Sequence, residues 1–205
     1  TRSDRDWSSD VCSSDLWYPA HPLSAKQLDS YVASALDSRG RRNGRKAVAE
    51  RLEIGQIAPE FTAKNHRDED IALSSLRGKS VVLYFYPKDD TPGCTTEGQE
   101  FTALYPKFQV AGAEILGVSR DSVASHLKFA CKYEFPFSLL ADPDETLCKA
   151  YDVIKEKKNY GKVYLGIERS TFVIDREGKL AYIERKVKAA GHAEKILAIV
   201  EKLAG

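Results

Sequence analysis

Cys94 is the residue of this chain best placed to do chemistry, because of what precedes it: Pro87-Lys88-Asp89-Asp90-Thr91-Pro92-Gly93-Cys94. A continuous apolar, β-rich run over 81–86 ends at Pro87, which has no N–H to offer a strand ladder. Thr91 is a good helix N-cap and Pro92 suits the first helical position. Counted from that cap, Cys94 falls at the third helical position, where a capping-box carboxylate would otherwise sit. Unpaired backbone N–H groups and the positive end of the helix dipole surround it. That placement favours the thiolate, the form that attacks small oxidants; a cysteine of ordinary pKa, about 8.5, is only about 3% ionised at pH 7. Gly93 has no side chain and lets a small ligand come close to the backbone. The competing reading is a structural cysteine at a helix start.

The elements that must position this segment follow from periodicity. Phe61-Thr62-Ala63 and Ile71-Ala72-Leu73 flank a charged turn over 65–70, which predicts a hairpin. The run over 81–86 suits a strand buried on both faces. After Cys94, Phe101, Leu104 and Phe108 mark a helix that Pro106 should kink or end. A strand over 114–118 precedes a helix over 122–133, with Val123, Leu127 and Cys131 spaced at i, i+4 and i+8 along one face. A short strand over 137–140 leads to Asp142-Pro143, opening a short helix with Leu147 and Cys148. Strands over 170–174 and 180–184 bracket the turn Asp175-Arg176-Glu177-Gly178. The last helix runs over 192–203, with Ile196, Val200 and Leu203 on one face. This order is α/β: helices on both faces of a central mixed sheet. No internal repeat is visible.

Composition bounds the rest. The chain has 205 residues, 42% of them apolar and 30% charged, which is ordinary for a globular protein. Lys plus Arg is 31 against 30 for Asp plus Glu, so no overall phosphate-binding design is present. No run of about 18 apolar residues exists to span a membrane. Four cysteines (Cys12, Cys94, Cys131, Cys148) with no Cys-x-x-Cys pair argue against a disulfide scaffold or zinc ribbon. His21, His66, His126 and His192 have no metal-ligand spacing and read as solvated or capping residues. The absence of methionine suggests a processed product or fragment. Residues 1–16 are Ser/Asp-rich without apolar periodicity and read as a disordered, non-native leader lacking the apolar stretch of a secretory signal. Residues 17–52 form an N-terminal extension. It holds a helix over 24–37 capped by Ser24, then a linker with five basic residues over 39–46. The linker is a solvated segment or a nucleic-acid or anionic-surface patch; no aromatic residues interleave it, so a stacking platform for single strands is unsupported. The main domain is 53–205.

Pro87, Thr91 and Cys94 make up Pro-x-x-x-Thr-x-x-Cys, and this resembles the active-site signature of the peroxiredoxins. The longer string Tyr-Pro-Lys-Asp-Asp-Thr-Pro-Gly-Cys-Thr-Thr-Glu resembles their Q-type branch, the bacterioferritin comigratory proteins. So do Gly-Gln-Ile-Ala-Pro-Glu-Phe at 55–61, Leu-Leu-Ala-Asp-Pro-Asp at 139–144, Gly-Ile-Glu-Arg-Ser-Thr-Phe at 166–172 and Gly-His-Ala-Glu at 191–194. The resemblance covers about 53–204. It implies a thioredoxin fold with an N-terminal β-hairpin, and reduction of hydroperoxides by cysteine without metal, haem or flavin. It makes Cys94 the peroxidatic cysteine, oxidised to sulfenic acid. Thr91 would hydrogen-bond the peroxide and Pro87 would shield the pocket. Arg169 would sit beside the thiolate and bind the developing oxyanion. Glu97 matches a family glutamate three residues after the cysteine and would stand behind the reacting groups; its plainer reading is a carboxylate favoured by the helix dipole. The plainer reading of Arg169 is a salt bridge at the core edge.

Many Q-type members carry a second cysteine five residues after the first; here Gln99 occupies that position. A subgroup of the family places its resolving cysteine in the next helix, and Asp-Val-Ile-Lys-Glu-Lys at 152–157 also resembles that subgroup. Cys131 is therefore the expected resolver, with core filler as its alternative, while Cys148 reads as packing. A disulfide needs Cα atoms within about 7 Å, so both helices would unwind locally if they hold the sulfurs farther apart. Thioredoxin or a similar dithiol would recycle the bridge. The competing functions are a peroxidase reduced directly by an external thiol, and a nonenzymatic binding protein or holdase. The expected setting is cytoplasmic, as a monomer or weak dimer, with no nucleic acid or membrane partner.

Overall fold

The computed structural model describes residues 52–159 and 162–204. The leader, the helix over 24–37 and the basic linker lie outside the described residues, as do Cys12 and His21.

Strands β1 (Thr62–Asn65) and β2 (Asp70–Ala72) pair antiparallel as the expected hairpin. Asn65 Oδ1 closes the turn by accepting the Arg67 and Glu69 N–H groups at 2.8 and 3.0 Å. Every residue of β3 (Ser80–Phe85) is buried. Val81, Leu83 and Phe85 enter one core, and Val82, Tyr84 and the following Tyr86 enter the other. Then come α1 (Pro92–Val110), β4 (Ala113–Ser119), α2 (Val123–Tyr133), β5 (Ser138–Ala141) and α3 (Thr146–Ala150). The chain continues through β6 (Ile154–Asn159), β7 (Lys162–Ile167), β8 (Ser170–Ile174), β9 (Leu180–Arg185) and α4 (His192–Ala204).

Seven strands form one mixed sheet in the order β2-β1-β5-β4-β3-β8-β9. β4 runs parallel to β3 and β5, and the other pairings are antiparallel. Helices α1, α2 and α4 cover one face through Phe101, Phe108, Phe129, Ile196 and Val200. On the other face Leu73, Leu147, Tyr151 and Phe172 close a second core. This is the expected thioredoxin fold. Parallel strands leave their loops on one edge, and ligand sites of such sheets form there. The loops after β3 and β4 meet accordingly: the Asp89 N–H donates to Asp121 Oδ2 at 2.9 Å.

Several expectations need correction. Pro106 neither ends nor divides α1, which continues to Val110. A mid-helix proline costs about 3 kcal/mol, and complete burial of Phe101 and Phe108 on either side of it returns about 2–3 kcal/mol per ring. The inward face of α2 is His126, Phe129 and Ala130, not Val123, Leu127 and Cys131. Leu127 is 43% exposed, because a buried histidine with polar partners took the place assigned to an aliphatic residue. Helix α3 starts four residues after Asp142, whose carboxylate instead accepts the Leu147 and Cys148 N–H groups at 3.1 and 2.7 Å. Leu203 is exposed in the last turn of α4. The antiparallel pair β6 and β7 was not anticipated.

The histidines also differ from expectation, since His66, His126 and His192 are all buried. Each is satisfied inside: His66 Nδ1 accepts the Leu139 N–H, His126 meets Asp89 and the Leu140 carbonyl, and His192 Nε2 lies 2.8 Å from Thr171 Oγ1.

Candidate active site

Helix α1 starts where the sequence placed it, with Thr91 in extended backbone at the N-cap and Pro92 as first helical residue. The Thr91 hydroxyl does not cap a backbone N–H. Its Oγ1 lies 2.9 Å from Cys94 Sγ and 3.1 Å from the Lys88 carbonyl. One proton serves one acceptor at a time, so Thr91 gives it either to the sulfur or to the carbonyl.

Arg169 comes from the two-residue link between β7 and β8. Its carbonyl accepts the Val187 N–H at 3.0 Å, which holds this link against the chain that follows β9. The guanidinium is bifurcated: Nη2 donates to Cys94 Sγ at 3.2 Å, and Nη1 pairs with a carboxylate oxygen of Glu97. The planar fork of arginine suits two acceptors in fixed directions. Gly93 makes room for it, since a Cβ there would stand 3.3 Å from Nη2. The close approach that Gly93 permits is thus made by the protein's own guanidinium.

Glu97 lies one helical turn beyond Cys94 and is fully buried. Burial pushes its carboxyl up to about 7, against the pull of the Arg169 charge. Its Oε1 has no hydrogen-bond partner among the described residues. Lys157, on β6, is held below its usual range by burial and then by the Arg169 charge. Pro87 follows the end of β3 and is half-buried.

Three of the expected residues, Thr91, Cys94 and Arg169, therefore meet at one sulfur, with Gly93 and Glu97 around the guanidinium. Cys131 is in the last turn of α2, partly exposed, and neither it, Cys94 nor Cys148 is in a disulfide. Cys148 is fully buried, and burial followed by the Asp142 carboxylate pushes its thiol well above the ordinary range.

The sequence reading missed the ring of polar groups behind the loop. The Asp89 carboxylate receives Tyr86 OH at 2.8 Å and Ser125 Oγ at 2.7 Å, and lies 3.0 Å from His126 Nδ1. Burial pushes the Asp89 carboxyl up, but these contacts outweigh it and hold the group below its ordinary value. The available signal was a pair of adjacent aspartates immediately before a helix cap.

Comparison with known proteins places this geometry in a family. Residues 54–183 match the AhpC/TSA family. Peroxiredoxin Bcp of Xanthomonas campestris pv. campestris is 60% identical over 129 residues, covering 63% of this chain and 81% of that protein. Peroxiredoxin Bcp of Bacillus subtilis is 51% identical over 146 residues, covering 71% and 93%. Among solved structures, a bacterioferritin comigratory protein of Xanthomonas campestris, studied for alkyl peroxide reduction through trapped intermediate and ligand complexes, superposes with a TM-score of 0.68. It is 52% identical and covers 71% of this chain and 92% of that one. The thiol at the mouth of α1, the fold that holds it and these matches together make the chain a member of the AhpC/TSA family, a Bcp- or Q-type peroxiredoxin and hence a thiol-dependent peroxidase.

Proposed function

We propose that Cys94 is the peroxidatic sulfur, that hydrogen peroxide and organic hydroperoxides are its substrates, and that Cys131 resolves it. The observation that carries the reading is the convergence of Thr91 Oγ1 and Arg169 Nη2 on Cys94 Sγ, at 2.9 and 3.2 Å. The thiolate attacks the terminal oxygen of the hydroperoxide. The S–O bond forms as the O–O bond breaks, and the alkoxide or hydroxide leaves and takes up a proton, giving an alcohol or water. With its own proton on the Lys88 carbonyl, Thr91 Oγ1 is free to accept the peroxide O–H and align it. Arg169 presents a fixed positive charge where oxygen becomes anionic. Pro87 and the first turn of α1 narrow the water around the reacting atoms. Organic peroxides enter the proposal through the alkyl peroxide activity of the Xanthomonas relative.

Cys131 is the reading for the resolver because it is partly exposed in the last turn of α2, whereas Cys148 is sealed in the core. Thioredoxin or a similar dithiol would then reduce the bridge by exchange. We place the reaction in the cytoplasm, with the protein a monomer or weak dimer. Among the described residues no helix is long and apolar enough to cross a membrane. Stopped-flow peroxide oxidation of the wild type, Cys94→Ser and Cys131→Ser, with thioredoxin recycling measured alongside, tests the scheme. Cys94→Ser should lose all turnover. Cys131→Ser should keep the first oxidation and lose the disulfide seen by mass spectrometry. A persistent sulfenic acid or external mixed disulfide in the wild type would replace internal resolution with direct reduction by an external thiol.

A further inference from the structure

With Cys131 as resolver, its sulfur has to meet Cys94 from the last turn of α2, and two neighbouring aspartates tie α2 to the active-site loop in different ways. Asp89 is 7% exposed and holds the first turn of the helix through Ser125 and His126. His126 is completely buried, and its Nε2 lies 3.1 Å from the Leu140 carbonyl. Asp90 holds the last turn. Its carboxylate oxygens take Lys132 Nζ at 2.8 and 2.7 Å, and Oδ1 also receives Tyr133 OH at 2.7 Å. Lys132 lies 5.0 Å from the Tyr133 ring centroid, so the three groups form one cluster. Cys131 is the residue immediately before them.

The two ties differ in strength. Breaking a buried, hydrogen-bonded carboxylate contact leaves groups stranded away from water, and that is costly. The Lys132 and Asp90 side chains are 55% and 48% exposed, so water and salt replace each partner at small cost. Backbone geometry points the same way. Asp90 sits at φ 52°, and Glu134, which caps the C-terminus of α2, sits at φ 53°. Glycine is the usual residue in that left-handed region, so Asp90 at one end of the outer tie, and the residue just after Tyr133 at the other, sit in unfavourable backbone.

We propose that Asp90, Lys132 and Tyr133 are positioning residues, a latch whose opening frees the last turn of α2 about a fixed pivot at His126 and sets the rate at which Cys131 resolves Cys94. The proposal rests on the resolving role given to Cys131 above. In the step it controls, the Cys131 sulfur attacks the Cys94 sulfenic acid. The S–O bond breaks as the S–S bond forms, and the hydroxyl leaves with the thiol proton as water. The competing fate of the same sulfenic acid is attack on a second hydroperoxide, giving sulfinic acid and an alcohol or water. A tight latch prolongs the sulfenic acid and exposes it to that second oxidation; a loose one shortens its life.

The test is the double variant Lys132→Met, Tyr133→Phe. Phenylalanine keeps the ring that stacks on Phe135 and meets Phe129 edge-on, so the packing of this end is retained. After one equivalent of hydrogen peroxide, disulfide formation should be roughly threefold to tenfold faster than in the wild type, with the first oxidation phase unchanged. With excess peroxide, the sulfinic acid fraction should fall. An equal or slower disulfide step overturns the latch. The wild type offers a second reading: its disulfide step should accelerate between low and high salt, because ions screen the exposed pair, and the variant's should not. Should the variant fail to fold, a wild-type step indifferent to salt overturns the proposal by itself. A wild type that forms no Cys94–Cys131 bond overturns the resolving role of Cys131 and the latch with it. A bond that forms at one rate in both proteins overturns the latch alone.

Discussion

Cys94 and Cys148 occupy the same local position and have opposite surroundings. Each is the third residue of its helix, counted from Thr91 and from Glu145, and each is buried, at 3% and 0% exposure. Over the sulfur of Cys94 stand a hydroxyl and a guanidinium. Beside Cys148 stands the Asp142 carboxylate, already engaged with two N–H groups of the helix start; burial first, and then this carboxylate, push the thiol upward. Helix α1 has 19 residues and α3 has five, so the dipole differs as well. The comparison teaches that a helix start does not by itself make a working nucleophile. What separates the two sulfurs is the sign of the charge that tertiary structure brings to each.

Removing that charge is the strongest way to break the comparison. Arg169→Met should slow Cys94 oxidation by about 10²- to 10³-fold, the usual loss when a preorganised donor to a developing anion is deleted. Arg169→Lys should recover only a small part, because an ammonium on a flexible stem cannot serve the sulfur and Glu97 together as the fork does. Stopped-flow rates at several peroxide concentrations measure both. An Arg169→Met enzyme within a few-fold of wild type would mean that the helix start suffices after all.

Glu97 sharpens the same contrast through pH. Its carboxyl is raised from 4.5 to about 7 in the folded protein. The folded state therefore holds a proton that the unfolded chain releases between those values. The stability this lends is fully present below about 4.5 and is lost as pH rises through about 7, with a slope of at most about 1.4 kcal/mol per pH unit. His66 and His192, lowered to about 4 by burial, work in the opposite sense, since stability rises with pH as they lose the need to charge. The measure is thus the difference between wild type and Glu97→Gln. The gap in thermal midpoint should shift in favour of the glutamine variant from pH 5 to pH 7.5. A constant gap would show that Glu97 is ionised throughout, fully paired by Arg169.

These residues were unequally legible in the sequence. Thr91, Gly93 and Cys94 fall within four consecutive residues, so cap chemistry and spacing located them without knowledge of the fold. Arg169 is local to nothing near Cys94, and only resemblance to other sequences connected the two. The buried strand β3 was plain because the six apolar residues over 81–86 have few other uses. Helix α2 was placed correctly but turned the wrong way: Val123, Leu127 and Cys131 satisfy the helical period as well as His126, Phe129 and Ala130 do. Periodicity cannot know that Asp89 waits inside for a histidine. The ribbon of β6 and β7 escaped because Ile-Lys-Glu-Lys-Lys-Asn has no alternating apolar face to betray a strand.

The hydroxyl side of the Cys94 environment should weigh less than the charge. Thr91→Val keeps the shape of the N-cap residue and removes the group 2.9 Å from the sulfur. About a tenfold fall in Cys94 oxidation is expected, the scale of one hydrogen bond to a charged or charging partner. A fall matching that of Arg169→Met would make alignment of the peroxide, rather than charge, the dominant difference between the two cysteines.

The smallest effect on chemistry should come from the other sulfur. Cys148→Ala removes one large atom from a site with no exposure, among Leu147, Tyr151 and Val153. The lost packing and residual void should cost about 1–2 kcal/mol, read as a lowered denaturant midpoint at unchanged slope. The junction itself should survive, because Asp142 accepts the backbone N–H groups of residues 147 and 148, which alanine retains. Peroxide turnover and disulfide yield should match wild type at temperatures where both are folded. A variant equally stable but slower would reverse the comparison: it would give Cys148 a part in the redox cycle, despite the carboxylate beside it and the core that seals it.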